Sequence, residues 1–151
     1  MRTAVCCSGR SLTYDQLRRL AAAAERRLRE QGAGSIAFLD VNGPAAAVAM
    51  YAAARTELPY APINYRLSRG EIESLLARLD APLIVAAPSQ VKDLRLPAGT
   101  LAIHSDMLLR DETAGPAPVC AGDLDPDAVA VQLFTSGTTG APGLPCCATA
   151  T

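Results

Sequence analysis

Val129-Ala130-Val131-Gln132-Leu133-Phe134-Thr135-Ser136-Gly137-Thr138-Thr139-Gly140-Ala141-Pro142 is the stretch on which the reading of this chain turns. Its first half alternates apolar side chains, Val129, Val131 and Leu133 on one face and Ala130 and Phe134 on the other, which is the pattern of a strand over 128–134. Its second half holds four hydroxyl residues and two glycines. Gly137 and Gly140 take up positive φ at no steric cost, so consecutive N–H groups can turn toward one point. The hydroxyls of Thr135, Ser136, Thr138 and Thr139 add donors around the same anion. A strand running into such a nest suits a polyphosphate, whose oxygens need many donors at once. A plain Ser/Thr/Gly surface loop is the alternative for any shorter piece of the string.

Upstream, helical and extended patterns alternate. Thr13 with Gln16 makes a capping box and Leu12 with Leu17 a hydrophobic staple; Leu17, Leu20, Ala21, Ala24 and Leu28 then repeat at helical spacing until Gly32 and Gly34 stop the helix. The run 35–41 predicts a buried parallel strand, and Pro44 opens an alanine-rich helix over 45–55, thin enough to lie close on a sheet. Residues 58–63 read as a short extended segment whose prolines forbid a fully paired central strand. Ser68 with Glu71 forms a second capping box ahead of the helical face Ile72, Leu75, Leu76 and Leu79, and a strand follows at 83–86. A short helix or turn is expected over 91–96, a strand over 100–104 and an acidic, Pro/Gly-bearing loop over 111–118. The alternation implies an α/β fold with a largely parallel sheet.

Composition narrows the function classes. The chain has 151 residues, 50% of them hydrophobic and 19% charged, so one globular domain is possible by size, and the net charge of −1 offers no footprint for nucleic acid. The run 44–54 is too short to span a bilayer and 4–7 too short for a signal segment, which leaves a cytoplasmic location as the expectation. Cys6-Cys7, Cys146-Cys147 and Cys120 lack metal-ligand spacing and read as free thiols. Gly32-Ala33-Gly34-Ser35-Ile36-Ala37 fits a dinucleotide fingerprint by letters, but it precedes a strand instead of opening a helix. Asp123, Asp125 and Asp127 lack the glycine and closing glutamate of a calcium loop, and His104 has no nucleophile placed beside it. No catalytic residue and no protein metal ligand is assigned.

Residues 135–142 match, at every specified position, the first eight places of Thr-Ser-Gly-Thr-Thr-Gly-x-Pro-Lys-Gly. The string resembles the phosphate-binding signature of the adenylate-forming enzymes: acyl-CoA synthetases, peptide-synthetase adenylation domains and luciferases. Gly143 stands where that signature has lysine, which removes its one cation. Residues 59–68, Pro-Tyr-Ala-Pro-Ile-Asn-Tyr-Arg-Leu-Ser, are similar to a segment of the acyl-CoA synthetase branch, and Leu12-Thr13-Tyr14-Asp15-Gln16-Leu17 resembles the opening of these enzymes. The resemblance implies the first part of a large N-terminal domain over 1–142. It also implies ATP held by Thr135, Ser136, Gly137, Thr138, Thr139 and Gly140 through its β- and γ-phosphates, with Mg²⁺ neutralising charge.

In that family a carboxylic acid attacks the α-phosphorus of ATP, and coenzyme A then displaces AMP to give the thioester. The acyl, adenine and catalytic-lysine motifs lie downstream of the phosphate loop, so the expectation is a truncated ligase inactive alone, with fatty-acid metabolism as its setting. A small non-catalytic α/β module binding a phosphate-bearing ligand or a partner protein is the alternative. Residues 143–151 read as an atypical tail, with a shift of reading frame just after Pro142 as the expected origin. A fragment of a larger sheet is also expected to self-associate through an exposed edge at the strand of 128–134 or its neighbour.

Overall fold

The computed structural model describes residues 2–110, 125–134 and 146–148, the last three by backbone alone. In chain order the elements are β1 (Thr3–Cys7), β2 (Arg10–Thr13), α1 (Tyr14–Gln31), β3 (Ser35–Leu39), α2 (Pro44–Thr56), β4 (Tyr60–Pro62) and α3 (Arg69–Leu76). They continue with β5 (Pro82–Ala86), α4 (Pro88–Val91), β6 (Leu101–His104), a 3-10 helix (Ser105–Leu109), β7 (Val129–Gln132) and β8 (Cys146–Ala148). The main sheet has the order β6-β5-β3-β4-β7-β8. Its first five strands are mutually parallel, and β8 runs antiparallel to β7. The α/β fold with a largely parallel sheet is therefore the observed one.

The helices form where short-range chemistry starts and stops them. At α1 the Thr13 hydroxyl accepts from the Gln16 N–H at 3.2 Å and the Gln16 side chain accepts from the Thr13 N–H at 2.9 Å, while Gly32 closes the helix in the left-handed region at φ 63°. Ser68 and Glu71 repeat the box at α3. Along β3 successive side chains face opposite layers. Ile36 and Phe38 pack with α1 and α2, whereas Ala37 and Leu39 pack with α3. β5 does the same with Leu83 and Val85 against Ile84 and Ala86. Full burial of each such leucine, isoleucine, valine or phenylalanine stabilises the fold by about 1.5–3 kcal/mol, so β3, buried along its whole length, is the sheet's anchor. Alanines 45, 49, 52 and 53 of α2 are buried and keep that helix thin against α1 and the sheet.

Some expectations hold in part and others need correction. β4 lies between β3 and β7 with the incomplete pairing its prolines imply: on the β3 side the Pro59 carbonyl accepts from the Ile36 N–H at 2.9 Å and the Ile63 N–H donates to the Phe38 carbonyl at 2.8 Å. Its proline restricts the other side, where pairing with β7 is limited to Tyr60 opposite Val131. The β1–β2 hairpin was not anticipated. Its turn places Ser8 at φ 49° and Gly9 at φ 77°, the two positive angles that match hairpin twist. α4 starts at Pro88, ahead of the expected 91–96, because proline suits a first helical position. Among the described residues β7 is interior and β6 and β8 lie at the margins, so of the two strands named for an exposed edge it is the neighbour of 128–134 that lies there. Gly34 has a packing role: a Cβ there would stand 2.9 Å from an Asp80 carboxylate oxygen and 3.0 Å from the Asp80 carbonyl.

Candidate functional site

In an open α/β sheet, ligands bind outside the carboxyl ends of the strands, where crossovers diverge to opposite faces. Here β3 leads into α2 on one face and β4 leads into α3 on the other, so the crossovers diverge at the carboxyl ends of β3 and β4. β7 lies beside β4, and its carboxyl end delivers the chain to Thr135. Thr135, Ser136, Gly137, Thr138, Thr139 and Gly140, the predicted phosphate-binding residues, lie outside the described residues, as do Gly143 and the loop 111–118. What the structure gives is the place where that loop begins.

The approach to the loop is held from both faces. Val131 packs with the α1/α2 cluster and Phe134 with the α3 cluster, as the alternation required. The Arg78 guanidinium carbon lies 5.8 Å from the centroid of the Phe134 ring, a cation–π contact worth about 0.5–1 kcal/mol at a partly exposed site. Gln132, one position beyond Val131, has its Oε1 buried with no hydrogen-bond partner among the described residues. An acceptor left so costs about 1–3 kcal/mol. The alternating pattern gave no signal for either feature, since one depends on a turn far upstream, just past α3, and the other on what surrounds a polar side chain.

Other polar groups singled out in the sequence, at either end of the sheet, are committed to structure. Asp40, directly after β3, accepts from the Val41 N–H at 2.7 Å through Oδ1 and from the Ser105 hydroxyl at 2.5 Å through Oδ2. It thereby ties the end of β3 to the 3-10 helix after β6. His104 Nδ1 accepts from the Asp106 N–H at 3.0 Å, which makes it a strand-end cap. Asn64 Oδ1 accepts from the Arg66 N–H at 3.0 Å and so shapes the turn into α3. Asp125 Oδ1 accepts from the Asp127 N–H at 2.9 Å, consistent with an acidic turn ahead of β7, while Asp123 is outside the described residues. Tyr60 faces the α1/α2 layer, where burial pushes its phenol up to about 12. Cys6 and Cys7 are free thiols. No helix among the described residues is long and apolar enough to cross a membrane.

The family model described as AMP-binding enzyme matches residues 1–143. Feruloyl-CoA synthase from Amycolatopsis sp is 30% identical over 152 residues, covering 93% of this chain and 29% of that protein. Phenyloxazoline synthase MbtB from Mycobacterium tuberculosis is 36% identical over 147 residues, covering 92% of this chain and 10% of that protein. Among solved structures, the nonribosomal peptide synthetase FmoA3 in its AMPPNP-bound form superposes with a TM-score of 0.78 at 30% identity, over 97% of this chain and 15% of that one. The N-terminal subdomain of Klebsiella oxytoca NpsA superposes at 0.76 and 23% identity, a likeness of fold, over 98% of this chain and 39% of that one. The chain thus spans less than a third of the curated relatives described.

Proposed function

This chain belongs to the AMP-binding enzyme family, and from that premise we propose that it carries the phosphate-binding portion of an ATP-dependent acid-activating ligase. One observation carries the reading: the match runs through the Thr135–Gly140 string, and the strand feeding that string ends beside β4 at the carboxyl edge of a parallel sheet. The donor set fits a polyphosphate. Four hydroxyls and the glycine-permitted amides supply hydrogen-bond donors without a nucleophile. With Gly143 in the cation's place, Mg²⁺ is the natural counter-charge. ATP, when bound, supplies the electrophilic phosphorus that the acid's carboxylate attacks.

This chain's own residues orient and hold. The loop's donors grip the β- and γ-phosphates, and the Phe134 contact with α3 fixes where the loop leaves the sheet. The acid and coenzyme A as the accepting thiol belong to the same proposal, as do a cytoplasmic setting in fatty-acid metabolism and the acyl-CoA branch. The branch rests on the residues 59–68. These 151 residues are proposed to turn over no acid by themselves, because the acyl, adenine and catalytic-lysine motifs that the family resemblance implies are not among them. The domain boundary at 142 and a frame change behind 143–151 are proposed with it; the gene's other frames downstream of Pro142 decide that point. Self-association through the strand of 128–134 or its neighbour β8 belongs to the same proposal. The test is ATP–pyrophosphate exchange with a panel of fatty and aromatic acids. The expected result is no exchange above the protein-free blank, and acid-dependent exchange contradicts the inactive reading.

A further inference from the structure

We propose that Arg78 is a positioning residue for the phosphate loop, a role that rests on residues 135–140 being the loop that holds ATP. Its guanidinium, lying over the Phe134 ring, sets the direction in which the chain leaves the sheet toward Thr135. Backbone pairing ends before the loop begins. β7 pairs with β4 at Tyr60 opposite Val131 and with β8 as far as Gln132 opposite Cys146, where the strand stops. Leu133 is 41% exposed and anchors nothing. Among the described residues, side-chain contacts at Phe134 therefore hold the end of this stem.

Those contacts are of two kinds. Packing of the ring on the α3 cluster is non-directional, so by itself it tolerates sliding and rotation. A cation over the ring is directional, because it seeks the negative face of the quadrupole. With the guanidinium carbon 5.8 Å from the ring centroid, the contact lies inside the range of that attraction. The cation also starts from a fixed point. The Arg78 N–H donates to the Leu75 carbonyl at 3.1 Å and the Leu79 N–H to the Leu76 carbonyl at 3.2 Å, in a turn whose Leu76 and Leu79 are buried. This turn after α3 thus presents a side chain with a core-anchored root to the residue that precedes Thr135. A preset stem spares the nucleotide part of the ordering cost of the loop, which is how a residue acting through another raises affinity.

The test is NMR titration of the full chain with ATP and Mg²⁺ in Arg78→Gln, Arg78→Lys, Phe134→Leu and the Arg78→Gln/Phe134→Leu double variant. Arg78→Gln and Phe134→Leu are each expected to raise the dissociation constant about two- to fivefold, and Arg78→Lys to keep most of the wild-type affinity. The double variant is expected to bind no more weakly than the weaker single one. Without nucleotide, the Phe134 ring resonances are expected to shift in Arg78→Gln. Arg78 is exposed, so these variants keep the fold, and thermal melts check that. Additive losses in the double variant overturn the proposal, because the charge would then act on the phosphates directly and not through Phe134. Unchanged affinity or unchanged Phe134 resonances in Arg78→Gln overturn it as well. A wild-type chain that binds no ATP overturns the reading of residues 135–140 and this role with it, so the two failures are told apart.

Discussion

Replacing Glu25 by alanine probes the joint between α1 and α2 on which the whole first layer depends. Glu25 Oε2 accepts from Arg55 Nε at 2.7 Å, and its Oε1 accepts from Arg29 at 3.1 and 3.2 Å. The Glu25 and Arg55 side chains are only 18% and 12% exposed. An exposed pair would be worth about 0–1 kcal/mol, whereas removing one partner of a buried pair costs about 3–5 kcal/mol because the other charge stays in a poorly solvated site. With some water access here, the expected cost of Glu25→Ala is about 2–3 kcal/mol, or a melting temperature lower by about 5–10 °C at this chain length. Arg55→Met is expected to cost less, since Glu25 keeps Arg29. Urea unfolding of both variants and the double mutant closes a cycle whose coupling is predicted at about 1–2 kcal/mol. A loss below about 0.5 kcal/mol for Glu25→Ala, or no coupling to Arg55, would refute the claim that this pair is buried enough to matter.

Four further outcomes follow from local chemistry. Ser68→Ala is expected to lower stability by about 1 kcal/mol in urea unfolding through loss of the α3 cap. Ser68 hydrogen bonds hold the Glu71 carboxyl below its ordinary value. Its contribution is therefore present above the unfolded carboxylate range and is lost as pH falls through the folded value, an acid-side slope that Glu71→Gln removes. Tyr60 has the opposite sign: burial raises its phenol to about 12, so stability holds below the unfolded value and falls as pH rises toward the folded one. Tyr60→Phe should flatten that alkaline decline in a pH series of thermal melts. Glu57 sits at φ 56° as the last cap of α2, and its carboxylate accepts from the Asp125 N–H at 3.1 Å. Glu57→Gly, which relieves the backbone, is expected to be more stable than Glu57→Ala by about 1 kcal/mol, and equal stabilities would contradict a left-handed cap at this position.

The helices were readable because their signals are local. Thr13 with Gln16, Ser68 with Glu71, and Gly32 each act within one turn of the residues they cap, so letters at fixed spacing were enough. The face each strand shows was readable for the same reason, and β3 and β5 alternate between the two layers as period 2 demands. What escaped depends on distant chain. β4 is interior because β7 pairs with it from far downstream, and no feature of residues 58–63 announces that. The β1–β2 hairpin turns at Ser8-Gly9, which takes two positive angles without the Asn-Gly or Asp-Gly pair that usually marks such a turn in sequence. At the candidate site the proposed chemistry rests on the string 135–142, while the Phe134–Arg78 contact and the Gln132 Oε1, without a partner among the described residues, needed coordinates.

An NMR titration of the full chain with ATP and Mg²⁺ tests the central claim most directly. The account predicts saturable shifts that require Mg²⁺, centred on the amides of residues 135–140, and their loss in the Thr138→Ala/Thr139→Ala double variant. No shifts in that segment, or shifts that persist unchanged in the double variant, would contradict it.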